Sequence, residues 1–230
     1  ACSSRAMSSD LPLPPPSTPH AATFHSDDFR TDHLGVRRVK GYEAISELYR
    51  FDVMLVSTAC VTSEPAIDPD DIVGASATLS LVDRHGAHVR DITGIVESAR
   101  LCADAAGYQH AVYELSIVPR AHLLSLVTRD EIFLDSSVLE IIQNKLDRLE
   151  LFAGSYVEMR LFNDYPKLDF VVQYAESDLA FISRLAENAG ISFHFEQTEG
   201  GEKLVFADHN EGKAALPLPV ELNSTGDHGG

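Results

Sequence analysis

The chain has 230 residues, 44% of them hydrophobic, and a formal net charge of −17 from 18 Lys plus Arg against 35 Asp plus Glu. That is enough apolar material for one large or two small domains, while the acidity argues against binding to phosphate backbones. No apolar run approaches the ~20 residues of a membrane helix, which predicts a soluble chain, and Cys2, Cys60 and Cys102 form neither a disulfide framework nor a zinc knuckle.

Residues 1–22 are rich in Ser and Pro and read as a disordered or polyproline leader. From Thr23 to Pro119 the signals are mostly β. Val36–Lys40 and Tyr49–Val56 read as strands, with Gly41–Leu48 between them as a turn or a single helical turn. Asp68–Gly74 is a short helix with an early proline and a glycine stop. Ala77–Val82, Val89–Leu101 and Tyr108–Val118 are further strands, the last two joined at Asp104–Gly107. Strands at this spacing predict a closed or nearly closed barrel over 23–119.

Helices enter after Arg120. Ala121–Leu126 is a short helical turn, and Ser137 with Glu140 forms a capping box. The helix that follows carries an apolar stripe of Val138, Ile141, Ile142, Leu146 and Leu149, broken only by Lys145. Val171 and Val172 open a strand that Tyr174 closes, and Ser177 caps a second helix with Asp178 in its first turn. Leu179, Ile182, Leu185, Ala186 and Ala189 form its stripe, and Gly190 stops it. Ile191, Phe193 and Phe195 alternate with polar residues as a half-buried strand. Glu199–Glu202 is a turn, and Leu204–Phe206 is the returning strand. The pattern after Arg120 is helix, strand, strand, helix, strand, strand, an α+β domain over 120–213. Residues 214–230 read as a flexible tail or the start of a further domain.

Candidate chemistry is sparse. His85 and His88 read as a polar hairpin tip, Asp208 and His209 as a turn, and Asp27 with Asp28 as a solvated pair. Asp68, Asp70 and Asp71 lack the ligand alternation of a calcium loop and read as a helix start. Glu176 and Asp178 flank Ser177 at a helix start, where capping accounts for them. Phe193, Phe195 and Phe206 read as core. No nucleophile elbow, P-loop or H-E-x-x-H motif is present, so no enzyme, cofactor or metal site is expected.

Four ordered blocks resemble the VgrG family, the hub and spike proteins of type VI secretion related to phage baseplate hubs. Gly41, Glu43, Leu48 and Phe51 match its turn-then-strand block. Gly74, in Ile72–Leu79, matches the second. Gly94, Tyr113 and Pro119 match the third. The fourth runs from Ile132 and continues through Tyr174, Glu176, Ser177, Asp178, Phe181, Arg184, Leu185, Gly190 and Ile191. The resemblance implies an α+β, baseplate-hub-like fold: a β-barrel tube-type domain followed by a mixed helix/strand domain. It implies a structural, non-enzymatic role for these residues, without cofactor or metal.

It also implies the N-terminal hub segment of a homotrimer that caps a hexameric Hcp-type tube. Baseplate proteins surround such a hub, and a PAAR-type tip and effectors join through C-terminal parts. The machine rests in the bacterial cytoplasm and is then fired into the medium or a target cell. Sequence for the family's second tube domain and spike is missing here, so the expectation is a fragment of a longer protein. The alternatives are the hub of a contractile phage tail or extracellular injection particle, or the carrier part of a secreted effector enzyme with its activity downstream.

Overall fold

A computed structural model describes residues 22–57, 67–83, 86–103, 111–149, 151 and 156–212. Residues 1–21 of the expected leader, the tail, the 104–107 turn, Cys2, Cys60 and His85 lie outside the described residues, whereas Ala22, read as the leader's last residue, begins a strand. The chain separates into two compact units, Ala1–Gly41 with Arg50–Val118, and Tyr42–Tyr49 with Pro119–Gly230.

The first unit is one sheet of six strands: β1 (Ala22–His25), β2 (Leu34–Tyr42), β3 (Arg50–Ser57), β4 (Ser76–Val82), β5 (His88–Ala103) and β6 (Val112–Val118). Their order, β1-β4-β5-β6-β3-β2, gives a nearly closed, barrel-like sheet. Alternation builds it: Phe51, Val53 and Leu55 on β3 and Tyr113, Leu115 and Ile117 on β6 are buried, with polar residues between several of them turned outward. The long strand β5 shifts register against β6 between Val96 and Ser98 and again between Leu101 and Ala103. Such bulges add local twist and bend a strand, which lets one sheet curl toward closure.

Two glycines in this unit have steric reasons. A Cβ on Gly41 would lie 2.1 Å from the Phe51 ring, so only glycine lets β2 pass that side chain. Gly74 has φ +88° and donates its N–H to Val96 O at 2.8 Å, which places it in the region glycine favours. The short helix before it is a 3₁₀ turn, Pro69–Ile72, capped by Asp68, whose Oδ1 accepts from Asp70 N at 3.0 Å.

The second unit contains β7 (Thr128–Ser136), α1 (Val138–Asp147), β8 (Val157–Arg160), β9 (Leu168–Ser177), α2 (Asp178–Asn188), β10 (Ser192–Thr198) and β11 (Gly201–Ala207). β10 pairs antiparallel with β11, β11 pairs parallel with β8, and β7 with β9 forms a separate two-stranded ribbon. Its core joins Ile141, Ile142 and Leu146 of α1 to Phe181, Ile182 and Leu185 of α2 and to Phe193, Leu204 and Phe206 of the sheet.

Three expectations change here. β7 was not anticipated, because Ile132 and Leu134 are as apolar as the inward Phe133 and erase the contrast that marks a strand. Glu202 lies inside β11 rather than in the turn, since the hairpin register pairs Thr198 with Gly201 across a two-residue loop. Tyr42–Tyr49 clusters with the second unit: Leu48 packs against its core, and Ser46 N donates to Phe193 O at 2.7 Å.

The capping box on α1 forms in full: Glu140 N donates to Ser137 Oγ at 3.2 Å, and Ser137 N donates to Glu140 Oε2 at 2.7 Å. Replacing Ser137 with alanine should cost about 1 kcal/mol of stability, measured by urea unfolding. An unchanged midpoint would remove the cap from the list of what holds α1.

Candidate functional site

The family-motif residues divide between the units. In the first, Phe51 and Tyr113 are core, Gly94 pairs with Ala77 on β4, and Gly41 and Gly74 hold the positions described above. In the second, Leu48 is partly buried on the core, and Glu43 lies in the Tyr42–Tyr49 segment. Pro119 precedes a 3₁₀ turn, Arg120–Ser125.

The run from Tyr174 to Ile191 is a joint between β9 and α2. Ser177 Oγ accepts from Ala180 N at 3.1 Å and caps α2. Glu176 accepts from Arg184 Nη2 at 2.5 Å, and the same nitrogen donates to Val172 O at 3.0 Å, so Arg184 clamps the strand to the helix that follows it. Phe181, Leu185 and Ile191 are core, Gly190 takes φ +72° after the helix, and Tyr174 points to solvent.

Asp178 does more than complement the helix dipole. It is buried, and its Oδ1 accepts from Lys145 Nζ at 2.8 Å. Lys145, the break in the α1 stripe, is itself fully buried. Its three protons meet three acceptors: Asp178, Glu131 Oε2 at 2.9 Å and Gln173 Oε1 at 2.5 Å. The rings of Phe133 and Phe181 lie 5.4 and 5.5 Å from the ammonium, within cation–π range. Arg148 also donates to Glu131, and hydrogen bonds from Arg148 and then Lys145 hold that carboxyl down at about 2. One ammonium therefore ties together α1, both strands of the ribbon and the start of α2.

A second buried polar centre was missed in the sequence. Glu202 accepts from the Tyr49 hydroxyl and, through Oε1, from Arg120 N at 2.7 Å. Tyr156, whose hydroxyl accepts from Ala121 N at 2.9 Å, faces the same carboxyl. Burial pushes Glu202 up to about 7 against the pull of these donors, and it raises both phenols as well. The signal was present: counting back by two from Phe206 and Leu204 puts Glu202 on the inward face.

Elsewhere the charged groups serve the fold. Asp27 and Asp28 are both exposed, as read from the sequence; Asp28 also accepts from Ser76 N at 2.6 Å, and Asp27 contacts exposed His25. His88 pairs with Asp91 at 2.8 Å. Asp208 accepts from Phe162 N, Asn163 N and the Tyr165 hydroxyl, fixing the loop after β8. A groove of about 810 Å³ on the first unit is lined by Arg38, Arg50, Arg100, Asp52 and Glu114. Its arginines face carboxylates: Arg50 binds Glu97 and Asp52, and Arg100 and Arg38 share Glu114. Paired in this way, they form no concentrated anion site. Among the described residues, no group of three or more His, Cys, Asp or Glu is placed to hold a metal ion, and no helix is long and apolar enough to cross a membrane.

The family described as phage tail baseplate hub (GPD) matches residues 42–229. The type VI secretion system spike protein VgrG5 of Pseudomonas aeruginosa is 34% identical over 182 residues, covering 79% of this chain and 22% of that protein. The actin cross-linking toxin VgrG1 of Vibrio cholerae is 28% identical, covering 89% of this chain and 18% of the toxin. The chain thus spans about a fifth of the length of these relatives. Among solved structures, the E. coli c3393 protein superposes with a TM-score of 0.68 at 27% identity, covering 80% of this chain and 52% of that one. That protein is a component of the type VI secretion system with structural similarity to the T4 bacteriophage tail proteins gp27 and gp5. With a family match over most of its length and a fold shared with a type VI secretion component, the chain belongs to the phage tail baseplate hub family, alongside the VgrG spike proteins.

Proposed function

We propose that this chain is the N-terminal hub segment of a VgrG-type spike, a structural part of a contractile injection machine. The observation that carries the reading is the family match over residues 42–229, supported by the superposition on the c3393 protein. In this reading a tube-type barrel over 23–119 and an α+β domain over 120–213 form part of one subunit of a homotrimer. Residues 214–230 are then a flexible tail or the start of a second tube domain. The trimer caps an Hcp-type tube within the baseplate, and the assembly is fired into the medium or a target cell. The buried polar centres support a scaffold rather than a catalyst, because their charged groups are consumed in holding elements together.

The test is export of the tube protein. Deleting the complete gene in its own host should abolish release of the Hcp-type protein into the medium. The full-length gene should restore it, whereas residues 1–230 alone should not. Unchanged export in a strain lacking every paralogue would overturn the type VI reading.

The family description also favours a second reading, the hub of a phage-like tail, in which the same deletion abolishes particle assembly. The likeness to a toxin of which the chain covers only 18% favours a third, with enzymatic activity carried outside these residues.

A further inference from the structure

Two buried carboxylates of the second unit are compensated in different ways. Asp178 has a cation, the fully buried Lys145, at 2.8 Å. Glu202, only 8% exposed, has neutral donors instead: the Tyr49 hydroxyl, and Arg120 N at 2.7 Å. Among the described residues it makes no ion pair, and the Arg120 guanidinium lies over the Tyr156 ring at 5.1 Å. Each element packed there presents one group to it: Tyr49 from the 42–49 segment, Arg120 from the 3₁₀ turn, Tyr156 ahead of β8, and Gln197 opposite on β10. A buried carboxylate without a counterion stays neutral, or it ionises at a cost that water can relieve.

The walls around Glu202 are not equally firm. β11 is the central strand of its sheet, laddered to β10 on one side and β8 on the other. Tyr156 is buried and bonded to Ala121, and Ala121 and Leu124 anchor the 3₁₀ turn in the core. Residues 43–49, in contrast, lie outside any helix or strand. They dock through Ser46 N on Phe193 O at 2.7 Å, the partly buried Leu48, and the Tyr49 ring, edge-on to Phe195 at 5.1 Å. Ser46 also takes φ +60°, a left-handed conformation that disfavours a residue with a side chain, so docking works against local strain. Tyr42, Glu43, Ile45 and Glu47 are exposed. Lifting this segment is the least disruptive way to bring water to Glu202.

We propose that Tyr42–Tyr49 is a strap that opens while the rest of the second unit stays folded, and that a proton on Glu202 keeps it shut. Ionisation favours the open strap, in which water reaches the carboxylate. Burial outweighs the pull of the donors and keeps the proton on Glu202 up to about 7. Opening therefore becomes more frequent as pH rises from 4.5 toward 7 and levels off above it. The inference does not depend on the hub reading.

The experiment is hydrogen exchange of the full-length protein, read by mass spectrometry on peptides spanning 42–49 and, as reference, α2. Rates are corrected for the intrinsic pH dependence of amide exchange. Strap opening should increase roughly 70-fold between pH 5 and pH 8. It should be insensitive to low concentrations of urea, because a local opening exposes little surface, whereas exchange in α2 should accelerate. Glu202→Gln should remove the pH response and leave the strap shut at pH 8. Tyr49→Phe loses the hydroxyl but keeps the carboxyl, so its strap should open more often at pH 5. If strap exchange follows α2 in urea, the segment opens only with the whole unit and the proposal fails. A flat pH profile in the wild type, or a rising one that persists in folded Glu202→Gln, overturns the role of the proton. The wild-type profiles alone decide the matter if Glu202→Gln does not fold.

Discussion

Replacing Lys145 with alanine is expected to destabilise the fold by about 3–5 kcal/mol, the range for breaking a buried ion pair from one side. The cost arises less from lost attraction than from what remains. Asp178 stays buried with Gln173 Nε2 at 3.0 Å and with the more distant Arg129, 3.4 Å from its Oδ2, and Glu131 keeps only Arg148. Lys145→Met restores the volume but not the charge, so it should recover only a small part of the loss. Adding Asp178→Asn to Lys145→Met removes the stranded carboxylate and should recover more than either change predicts alone. That coupling is the signature of a network and is read from a double-mutant cycle in urea. A loss below about 1 kcal/mol for Lys145→Ala would mean that water reaches the site and the network is dispensable.

The second large effect is a pH dependence carried by Glu202. Its pKa is raised from 4.5 to about 7, so the folded state holds its proton more tightly than the unfolded chain does. Below pH 4.5 both states carry it neutral and the stabilisation is complete. As pH rises toward 7 the unfolded chain ionises first and stability falls; above 7 the loss is complete, amounting to roughly 3 kcal/mol for this interval. Glu202→Gln mimics the neutral acid and should abolish that decline. It should be close to the wild type near pH 4.5 and clearly more stable at pH 8. Glu131 and Glu158, held down to about 2, titrate below this window and cancel in the comparison. Parallel stability profiles from pH 4.5 to 8 would show that Glu202 is solvated.

Much of the fold was legible because local patterns and packing agree. The stripes on α1 and α2, the Ser137 and Ser177 caps and the Gly190 stop each state the same element in independent ways. What escaped were the places where polarity and burial diverge. Lys145 read as an interruption because its partners lie 14, 28 and 33 positions away, beyond any periodic window. Glu202 was absorbed into a glycine turn whose loop proved to be two residues long. β9 also hides a bulge: Tyr174 and Ala175 together face Asp130, and Ala175 takes φ +49°, a conformation its side chain does not advertise. The joint between β9 and α2 stood out by resemblance, yet the clamp from Glu176 through Arg184 to Val172 needed coordinates.

The eight residues from Tyr42 to Tyr49 leave the chain's first unit and rejoin it at Arg50. Neither unit is thus a continuous stretch of polypeptide, and cutting at Pro119 does not yield a complete second half. The bond from Tyr49 to Glu202 spans 153 positions, so on the ribosome its phenol emerges long before its acceptor has been made. The segment must wait, tethered at both ends by β2 and β3, until β11 arrives. Docking this segment closes one very long loop, a non-local contact of the kind that slows folding.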